Sequence, residues 1–576
     1  MDTKDRCFFM RTPNELLSIL KRIEGRPYPA YKDTKGQYDF NSYILSIDHV
    51  QSDPFASPSD VSIRIPEPGF PRAWYDEPYR RIALQDGLLR LVGQAIAKAG
   101  SQKAGSGKSG NIHVSRPGQE ILERTALRVD PETGSLTIRF HVGFPAAGRR
   151  ILARELETIL FKTLPAIIES SLFYDRLSGS QKDFLKDQVE LATDQHVIRQ
   201  ELEKRHLSAF VANDAILPRT SGNRQTPMEN ALPFKSPESL EIELDLPYAG
   251  KIKGMGLPEG VVLIVGGGYH GKSTLLEALE LGIYNHIRHD GREYVISRDD
   301  AVKIRAEDGR CVHAEDISRF IQNLPQGRST TNFSSEDASG STSQAANVTE
   351  AIDSGSKLLL LDEDTSATNF MVRDELMASV VHADQEPIIP FVCRIQDLAK
   401  KEGVSTILVA GSSGAYFDKA DVILQMDNYE PKDITEFAKK KAADFALPEQ
   451  NDYPNWKPET KRIPQINKDL KADRVKVKTS GLDTVSINRE PVDVRYMEQL
   501  VDQEQLSALG RIALWASREI VDGKKSFDEV LDAVQTKLDQ DGLSAFGKGE
   551  MAQVRPQEIA GLFNRWRSQQ FKQEHL

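Results

Sequence analysis

A glycine-rich segment of nine residues, numbered 266–274, has the residue types and the spacing needed to bind phosphate. Glycines allow backbone N–H groups to turn inward toward phosphate oxygens, and a helix that begins beside them adds positive partial charge. Lys272 would reach the β- and γ-phosphates of a nucleotide, and the hydroxyl of Ser273 would bind Mg²⁺. The residues expected to surround the phosphates are Gly266, Gly267, Gly268, Tyr269, His270, Gly271, Lys272, Ser273 and Thr274.

Two adjacent acids, Asp362 and Glu363, follow four consecutive leucines. Such a run is typical of a buried parallel strand, and active sites in open α/β sheets lie at the carboxyl ends of the strands. We expect Asp362 to hold the Mg²⁺ and Glu363 to orient and polarise an attacking water molecule. The alternative is an ordinary pair of acids at the end of a strand, which the phosphate-binding segment upstream disfavours.

A third polar group, Ser339-Gly340-Ser341, precedes a stretch rich in glutamine and alanine that we expect to be helical. Hydroxyl groups at a helix N-terminus can capture a phosphate. Taken alone, the same residues are at least as consistent with a plain helix cap. Their position 23 residues before Asp362 favours a role in the nucleotide site.

The segment Gly107-Lys108-Ser109 imitates the end of the phosphate-binding segment. The full pattern requires a glycine at the position of Gln102, and the preceding residues are helical rather than an apolar strand. We interpret this segment as part of a flexible basic loop that contacts a polyanion, not as a second nucleotide site.

Specific elements must position these groups. Five apolar residues, 261–265, come directly before the phosphate-binding segment, and a helical pattern over 275–281 comes directly after it. This order of strand, loop and helix is the context in which the motif binds phosphate. With the leucine strand before Asp362, it predicts an α/β domain with a parallel sheet.

Composition limits the compartment and the partners. The formal net charge is −11, and no apolar run reaches the ~18 residues that a membrane span requires. The first residues lack an apolar core of signal-peptide length, so we expect no membrane partner. The cysteines, Cys7, Cys311 and Cys393, are few and scattered, which favours a reducing, intracellular compartment: cytoplasm or nucleus, with the mitochondrion also open.

In combination, the motifs resemble those of the ABC-type ATPases. The group Ser339-Gly340-Ser341 is similar to their signature motif, and the stretch 362–367 is similar to their Walker B motif and D-loop. The resemblance implies ATP and Mg²⁺ as cofactors. It also implies a homodimer in which two subunits sandwich two ATP molecules, so that the signature motif of one subunit acts in trans on the phosphates that the other subunit holds.

The resemblance extends to a small family described as predicted ATPases of the ABC class. Its members are soluble and are not transporter subunits. A relative in kinetoplastid mitochondria belongs to an RNA-editing assembly, so the resemblance implies RNA as a partner. The matching stretches are 48–56, 143–149, 209–219, 254–258, 266–274, 337–344, 362–370, 493–500 and 565–567.

We therefore expect an α/β fold in which an ABC-type P-loop ATPase domain, residues 191–437, is flanked by two others. These are an N-terminal α+β domain, residues 1–190, and a mainly helical C-terminal domain, residues 438–576. Two functions remain open. One is a dimeric ATP-driven clamp that acts on RNA, and the other is a nucleotide-gated scaffold that binds proteins with little ATP turnover.

The chain departs from ordinary ABC proteins after the strand at 406–409. A switch histidine that contacts the γ-phosphate is expected there, but the chain reads Ala410-Gly-Ser-Ser-Gly414. Ser412 or Ser413 could form a hydrogen bond to phosphate or water, although neither carries charge. Turnover is then slow, or Glu363 acts alone.

Several further residues have more than one possible role. Tyr248 is a candidate for stacking on adenine, and Gln322 is a candidate for the glutamine loop of ABC proteins. Arg305, Glu307 and Arg310 lie on a predicted hairpin near the nucleotide. They either communicate with the site or form a solvated charge cluster.

Basic residues are concentrated toward the C-terminus. Residues 461–478 contain seven basic and two acidic side chains. Basic residues beside aromatic residues suit single-stranded nucleic acid, through phosphate attraction and base stacking. The alternative is a set of solvated faces and a packed terminal helix. The interleaved residues are Arg555, Phe563, Arg565, Trp566, Arg567, Phe571 and Lys572.

Overall fold

The structure is a computed structural model that describes residues 10–100, 105–221, 224–373, 386–444, 456, 460–471 and 475–575. The chain folds into two compact units, one extending to Thr193 and the other beginning at Asp194. The α-helices are α1 (Pro13–Ile23), α2 (Pro78–Ala99), α3 (Ala153–Thr158), α4 (Leu164–Ser171), α5 (Gly179–Lys204), α6 (Lys272–Leu281), α7 (Gly340–Asp353), α8 (Thr368–Met371), α9 (Ile395–Glu402), α10 (Thr435–Ala443), α11 (Gln503–Glu519), α12 (Phe527–Asp541) and α13 (Pro556–Arg565).

The first unit contains the strands β1 (Gly36–Asp39), β2 (Ile44–His49), β3 (Ser59–Ile65), β4 (Ile112–His113), β5 (Glu120–Ile121), β6 (Leu127–Val129), β7 (Leu136–Val142), β8 (Ala146–Ala147) and β9 (Arg150–Ile151). Its main sheet is antiparallel in the order β1-β2-β3-β7-β4, with β6 also paired to β7. Alternate residues of β3 and β7 are buried, because successive side chains of a strand point to opposite faces. Buried residues of α1, α2 and α4 share the core of this sheet.

The segment Gly107-Lys108-Ser109 lies in this unit, in turns between α2 and β4. Ser109 is buried and donates a hydrogen bond to the carbonyl oxygen of Ser106 (2.5 Å). Within the described residues the segment leads into β4 and not into a helix. It therefore offers a phosphate no helix N-terminus.

The second unit contains the strands β10 (Leu207–Ala212), β11 (Arg219–Ser221), β12 (Arg224–Pro227), β13 (Glu241–Leu246), β14 (Gly250–Pro258), β15 (Val261–Val265), β16 (Asn285–His286), β17 (Val295–Ser297), β18 (Ala301–Ile304), β19 (Arg310–Glu315), β20 (Phe333–Ala338), β21 (Leu358–Asp362), β22 (Ser405–Val409), β23 (Val422–Asp427), β24 (Glu430–Asp433), β25 (Thr460–Pro464), β26 (Val477–Ser480), β27 (Thr484–Ile487), β28 (Glu490–Asp493) and β29 (Phe571–His575).

The central sheet of this unit has the order β18-β21-β22-β15-β23-β24 and is parallel except for β24. Every residue of β21 and β22 is buried, as the continuous apolar runs predict for strands covered on both faces. The strands β15, β21 and β22 end at the same edge. The three loops that follow them are therefore brought together at that edge, where ligands bind in folds of this kind.

The C-terminal part of the second unit contains α11, α12 and α13, a three-stranded sheet of β26, β27 and β28, and the pair β25–β29. Capping boxes begin α11 and α12, with Asp502 and Ser526 as the N-caps, which fixes where both helices start. The predicted fold class is confirmed: along the chain, an N-terminal α+β domain is followed by an α/β P-loop ATPase domain and then by a mainly helical C-terminal domain. The exact domain boundaries stay predictions. No helix in the described part of the chain has the length and apolar character to cross a membrane.

Candidate nucleotide site

The phosphate-binding loop runs from the end of β15 to the start of α6. Gly266 and Gly271 have φ angles of 145° and 93°, a backbone conformation that side chains disfavour. A Cβ atom at Gly266 would lie 2.5 Å from the carbonyl oxygen of Met426, and one at Gly271 would lie 2.7 Å from the ring of Tyr429. Only glycine therefore fits at both positions.

Lys272 is the first residue of α6, and its side chain folds back over the loop. Its Nζ donates hydrogen bonds to the carbonyl oxygens of Gly266 (2.9 Å) and Gly267 (2.8 Å). The ammonium group thus lies above the loop in which the phosphates are expected. From there it can form charge-assisted hydrogen bonds to phosphate oxygens.

Ser273 and Asp362 form the candidate metal site. The Oγ of Ser273 donates a hydrogen bond to Oδ2 of Asp362 (3.1 Å), whose exposed fraction is only 5%. Mg²⁺ prefers oxygen ligands in octahedral geometry with bonds of ~2.1 Å, so neighbouring ligand atoms lie ~3 Å apart. A hydroxyl and a carboxylate oxygen at this separation fit Mg²⁺.

Glu363 follows β21 and is held by the loop after β22. Its carboxylate accepts hydrogen bonds from the backbone N–H groups of Gly411 (2.6 Å) and Ser412 (3.0 Å), and from the hydroxyl of Ser412. Burial raises the pKa of Glu363, but the hydrogen bonds from Ser412 and Gly411 outweigh burial and lower the pKa overall. The carboxylate is therefore ionised at neutral pH, as a general base must be.

The loop that holds Glu363 occupies the place of the missing switch histidine. The backbone N–H of Ala410 donates to the carbonyl oxygen of Ile264 (2.9 Å), which ties the loop to β15. Sequence reasoning named Ser412 and Ser413 as contacts for phosphate or water and did not foresee that Ser412 binds Glu363. The contact depends on two strands that are far apart in the sequence, and no local signal indicates it.

We expect Ser412→Ala to make ATP hydrolysis more sensitive to acid. The substitution removes one donor to Glu363 while burial still raises the pKa, so the pKa of Glu363 rises. Because the base is active only above its pKa, the acid limb of the rate should move to higher pH. The rate measured from pH 4 to pH 8 tests this, with Ser413→Ala as the matched control. Identical acid limbs in Ser412→Ala and the wild type would contradict this prediction.

The N-terminus of α7 is formed by the predicted signature residues. Ser339 is the N-cap and Gly340 the first residue of the helix. The Oγ atom of Ser339 lies 3.0 Å from Oγ1 of Thr342. Within the described parts of the chain, no hydrogen bond joins Ser339, Gly340 or Ser341 to the phosphate-binding loop of the same chain. Their action in trans stays a prediction.

The turn between β23 and β24 braces the phosphate-binding loop. The N–H of Asn428 donates to Nδ1 of His270 (2.8 Å), and the N–H of Tyr429 donates to the carbonyl oxygen of His270 (3.1 Å). Both turn residues have positive φ, as a two-residue hairpin turn of type I′ requires. Tyr269, also at positive φ, is 99% exposed at the tip of the loop.

A cavity of about 490 Å³ lies beside the loop. It reaches Gly271 and Thr274, which lie where the phosphates are expected to join the nucleoside, and its walls are largely apolar. Tyr248 does not line it, since that residue lies in the turn between β13 and β14, where its N–H donates to Asp194 (2.9 Å). Sequence reasoning missed Tyr429, which no motif marks. The side chains that define this cavity include Arg219, Met228, Leu232, Phe234, Thr274 and Tyr429.

The interleaved basic and aromatic residues near the C-terminus do not form a stacking surface. The aromatic members Phe563, Trp566 and Phe571 are buried in the core of this region. The arginines are ion-paired: Arg555 with Glu558, Arg565 with Glu307, and Arg567 with Glu336. The expectation of base stacking is wrong for these residues, because Phe563 of α13, Trp566 directly after it and Phe571 of β29 all pack into the core. The packed terminal helix is the correct alternative.

The basic segment 461–478 contains a buried, paired residue as well as exposed ones. Arg462 is buried and pairs with Glu315, and Arg474 lies outside the described residues. Within the part of the chain that the structure covers, four lysines of this segment are exposed and have no ion pair. They are Lys468, Lys471, Lys476 and Lys478.

The sheet order, the phosphate-binding loop after β15 and the acid pair after β21 define a P-loop ATPase domain of the ABC type. Comparison with family models agrees. The P-loop domain of the ABC ATPases matches residues 181–462, and the N-terminal domain of ATPases of the ABC class matches residues 13–175. The MRB1590 C-terminal domain matches residues 476–572. The chain belongs to the family of ATPases of the ABC class.

A curated relative is the uncharacterized protein MJ1628 of Methanocaldococcus jannaschii, 33% identical over 225 residues. The match covers 36% of this chain and spans half the length of the relative. Similar solved structures include cbiO1 of Clostridium perfringens, part of the ABC transporter complex cbiONQ, at 16% identity and a TM-score of 0.23, covering 35% of this chain and 90% of that one. The ADP conformation of MJ1267, an ATP-binding cassette of an ABC transporter, is 12% identical with a TM-score of 0.24. The match covers 41% of this chain and 95% of that one.

Proposed function

We propose that this ABC-class ATPase is a Mg²⁺-dependent, ATP-driven clamp that acts on RNA. Two copies would close on two ATP molecules, and hydrolysis would change their grip on the RNA. The main support for ATPase activity is the position of the ionised Glu363. It is held at the same edge of the sheet as Lys272 and the Ser273–Asp362 pair. We place the protein inside the cell, in the cytoplasm, the nucleus or the mitochondrion.

Each group at this edge has a defined role in the proposed reaction. Ser273 and Asp362 would hold Mg²⁺, which neutralises phosphate charge when bound. Lys272 binds the β- and γ-phosphates and stabilises the charge that develops on the leaving group. Glu363 accepts the proton of the attacking water and orients that water in line with the γ-phosphate. Ser412 lowers the pKa of Glu363 and holds its carboxylate in place for this step.

Dimerisation completes the proposed site. The N-terminus of α7 presents the hydroxyl of Ser339 and backbone N–H groups, which suit the γ-phosphate of an ATP held by a second copy. The exposed N-cap Ser339 supports this arrangement. Gly340 and Ser341 would then contact the same phosphate.

We expect Tyr429→Ala to weaken binding of ATP by about tenfold and to leave binding of inorganic triphosphate within about twofold, since stacking on a base contributes about 1–3 kcal/mol. The reason is that the ring of Tyr429 lines the cavity beside the loop, where the nucleoside is expected. Titration calorimetry with the two ligands measures the difference, and Tyr429→Phe serves as the conservative control. An equal loss for both ligands would show that Tyr429 only supports the loop at Gly271.

The exposed lysines of the segment 468–478 support RNA as the partner. Their ammonium groups have no partner in the described part of the chain, and charge attraction to phosphates needs no aromatic stacking. We expect the fourfold alanine substitution of these lysines to weaken binding of a single-stranded RNA. It should also reduce the slope of log K against log salt by about 3.

The matched control for this prediction removes the same charge elsewhere. Lys400, Lys439, Lys440 and Lys441 are also exposed and can be changed together to alanine. Filter binding at several salt concentrations compares the two variants. An equal effect in both would mean that only net charge matters, and an unchanged affinity in the first variant would remove the main support for RNA.

A second function, a nucleotide-gated scaffold with little turnover, is favoured by one observation. The place of the switch histidine is taken by a loop whose Ser412 binds Glu363 and carries no charge. The scaffold would bind ATP, capture protein partners and hydrolyse ATP negligibly. Sustained turnover that Glu363→Gln abolishes would exclude it.

A further inference from the structure

The turn at residues 306–309 connects two segments of the proposed nucleotide site. The backbone N–H of Ala306 donates to the carbonyl oxygen of Thr365 (3.0 Å), two residues after Glu363. The backbone N–H of Gly309 donates to the carbonyl oxygen of Ala338 (2.9 Å), directly before the N-terminus of α7. A movement of this turn would therefore displace both segments.

The same turn also holds the first turn of α7 through a hydroxyl group. The backbone N–H of Glu307 donates to Oγ of Ser343 (2.9 Å), and that Oγ donates to the carbonyl oxygen of Gly340 (2.9 Å). A Cβ atom at Gly340 would lie 3.2 Å from Oδ1 of Asp308, so the turn and the helix are in close contact. The placement of Ser339 and Gly340 thus depends on Glu307.

Glu307 is in turn held by the C-terminal part of the chain. Its carboxylate accepts hydrogen bonds from Nε (3.1 Å) and Nη2 (2.5 Å) of Arg565, the last residue of α13, and from Nδ2 of Asn347 (3.0 Å). The side chains of Glu307 and Arg565 are 5% and 11% exposed. Burial raises the pKa of Glu307, but the charges of Arg565 and Arg310 outweigh burial and lower it overall. The pair is therefore ionic at neutral pH.

We propose that Arg565 is a positioning residue through which the C-terminal domain sets the geometry of α7 and of the segment after Glu363. Loss of Arg565 would remove the cation that is hydrogen-bonded to the buried carboxylate of Glu307. It would leave only the charge of Arg310 and the amide of Asn347, which is strongly unfavourable for a buried ion. Loss of Arg565 would therefore release the turn, displacing both the N-terminus of α7 and Thr365. The inference rests on the proposed function, because these two segments matter only if they serve ATP hydrolysis. The burial of Glu307 and Arg310 overturns the expectation of a solvated charge cluster, and the inference develops the other expectation, that this segment communicates with the nucleotide site.

Arg555, the N-cap of α13, offers a matched control at the other end of this helix. Its side chain is also 11% exposed and pairs with the buried Glu558, and it docks α13 onto the carbonyl oxygens of Asp299 and Ala301. It has no hydrogen bond to the 306–309 turn among those that the structure describes. Arg555→Ala therefore weakens docking of the C-terminal domain without releasing Glu307.

The experiment compares the full-length Arg565→Ala and Arg555→Ala variants by ATP affinity and by kcat. For Arg565→Ala we expect ATP affinity within about twofold of the wild type and kcat lower by about tenfold or more, the signature of lost transition-state interactions. For Arg555→Ala we expect both quantities to stay within about twofold. Arg565→Lys, which keeps the charge but loses the forked geometry, should recover part of kcat.

An unchanged kcat in Arg565→Ala, or equal losses in Arg565→Ala and Arg555→Ala, would overturn the inference. If Arg565→Ala does not fold, Arg565→Gln, which removes the charge but keeps a hydrogen-bond donor, decides alone: a kcat equal to that of the wild type would overturn the inference. If the wild type binds ATP without turnover, the proposed function fails independently. The inference is then tested by ATP-dependent association in sedimentation, which Arg565→Ala should weaken and Arg555→Ala should not.

Discussion

Replacing Glu363 with glutamine is expected to lower the rate of ATP hydrolysis by about a thousandfold, because a positioned general base contributes about 10²- to 10⁴-fold. Glutamine has the size of glutamate but cannot accept the proton of the attacking water. ATP affinity should be retained, since Lys272 and the phosphate-binding loop are unchanged. Steady-state phosphate release and equilibrium binding of ATP measure the two quantities on the same preparation.

The same variant tests dimerisation. With hydrolysis blocked, two copies should remain closed on Mg-ATP, so sedimentation velocity should show a dimer with ATP and a monomer with ADP. A monomer with saturating Mg-ATP would contradict the clamp. Hydrolysis at the wild-type rate would instead show that Glu363 is not the base.

Lys272→Ala is the second substitution with a large expected effect. We expect ATP affinity to fall by about ten- to a hundredfold, because a hydrogen bond to a charged group contributes about 1.5–3 kcal/mol. Hydrolysis should fall with it, since the ammonium group also stabilises charge on the leaving phosphates. Titration calorimetry with ATP measures the affinity.

A matched lysine for this experiment lies in the first unit. Lys108 belongs to the segment Gly107-Lys108-Ser109, which has the same three residue types in sequence but leads into β4. Lys108→Ala should leave ATP affinity unchanged. A comparable loss of affinity in both variants would argue against the assignment of Lys272, as would unchanged affinity in Lys272→Ala.

The parts of the site that depend on local order could be predicted from the sequence. An apolar strand, a glycine-rich loop and a helix placed Lys272 and Ser273, and a leucine strand ending in two acids placed Asp362 at the carboxyl edge of the sheet. These elements specify their own geometry, because the strand, the loop and the helix are contiguous. The observed hydrogen bond between Ser273 and Asp362 agrees with that reading.

The parts that depend on long-range packing could not be predicted. The contact between Ser412 and Glu363 requires that β22 lie beside β21, and the packing of Tyr429 on Gly271 requires that β23 lie beside β15. The sequence alone does not show this strand order. The interleaved basic and aromatic residues were misinterpreted for a related reason. Their order in the sequence does not show that Phe563, Trp566 and Phe571 pack into the core while the neighbouring arginines form ion pairs.

The central claim, that the chain hydrolyses ATP in a cycle coupled to RNA, is tested most directly by steady-state hydrolysis. The full-length protein would be measured with Mg-ATP at physiological salt, with and without a mixed pool of single-stranded RNA. We predict repeated turnovers that depend on Mg²⁺ and become faster with RNA. Tight binding of ATP without any turnover, in the presence or absence of RNA, would contradict the account and favour the nucleotide-gated scaffold.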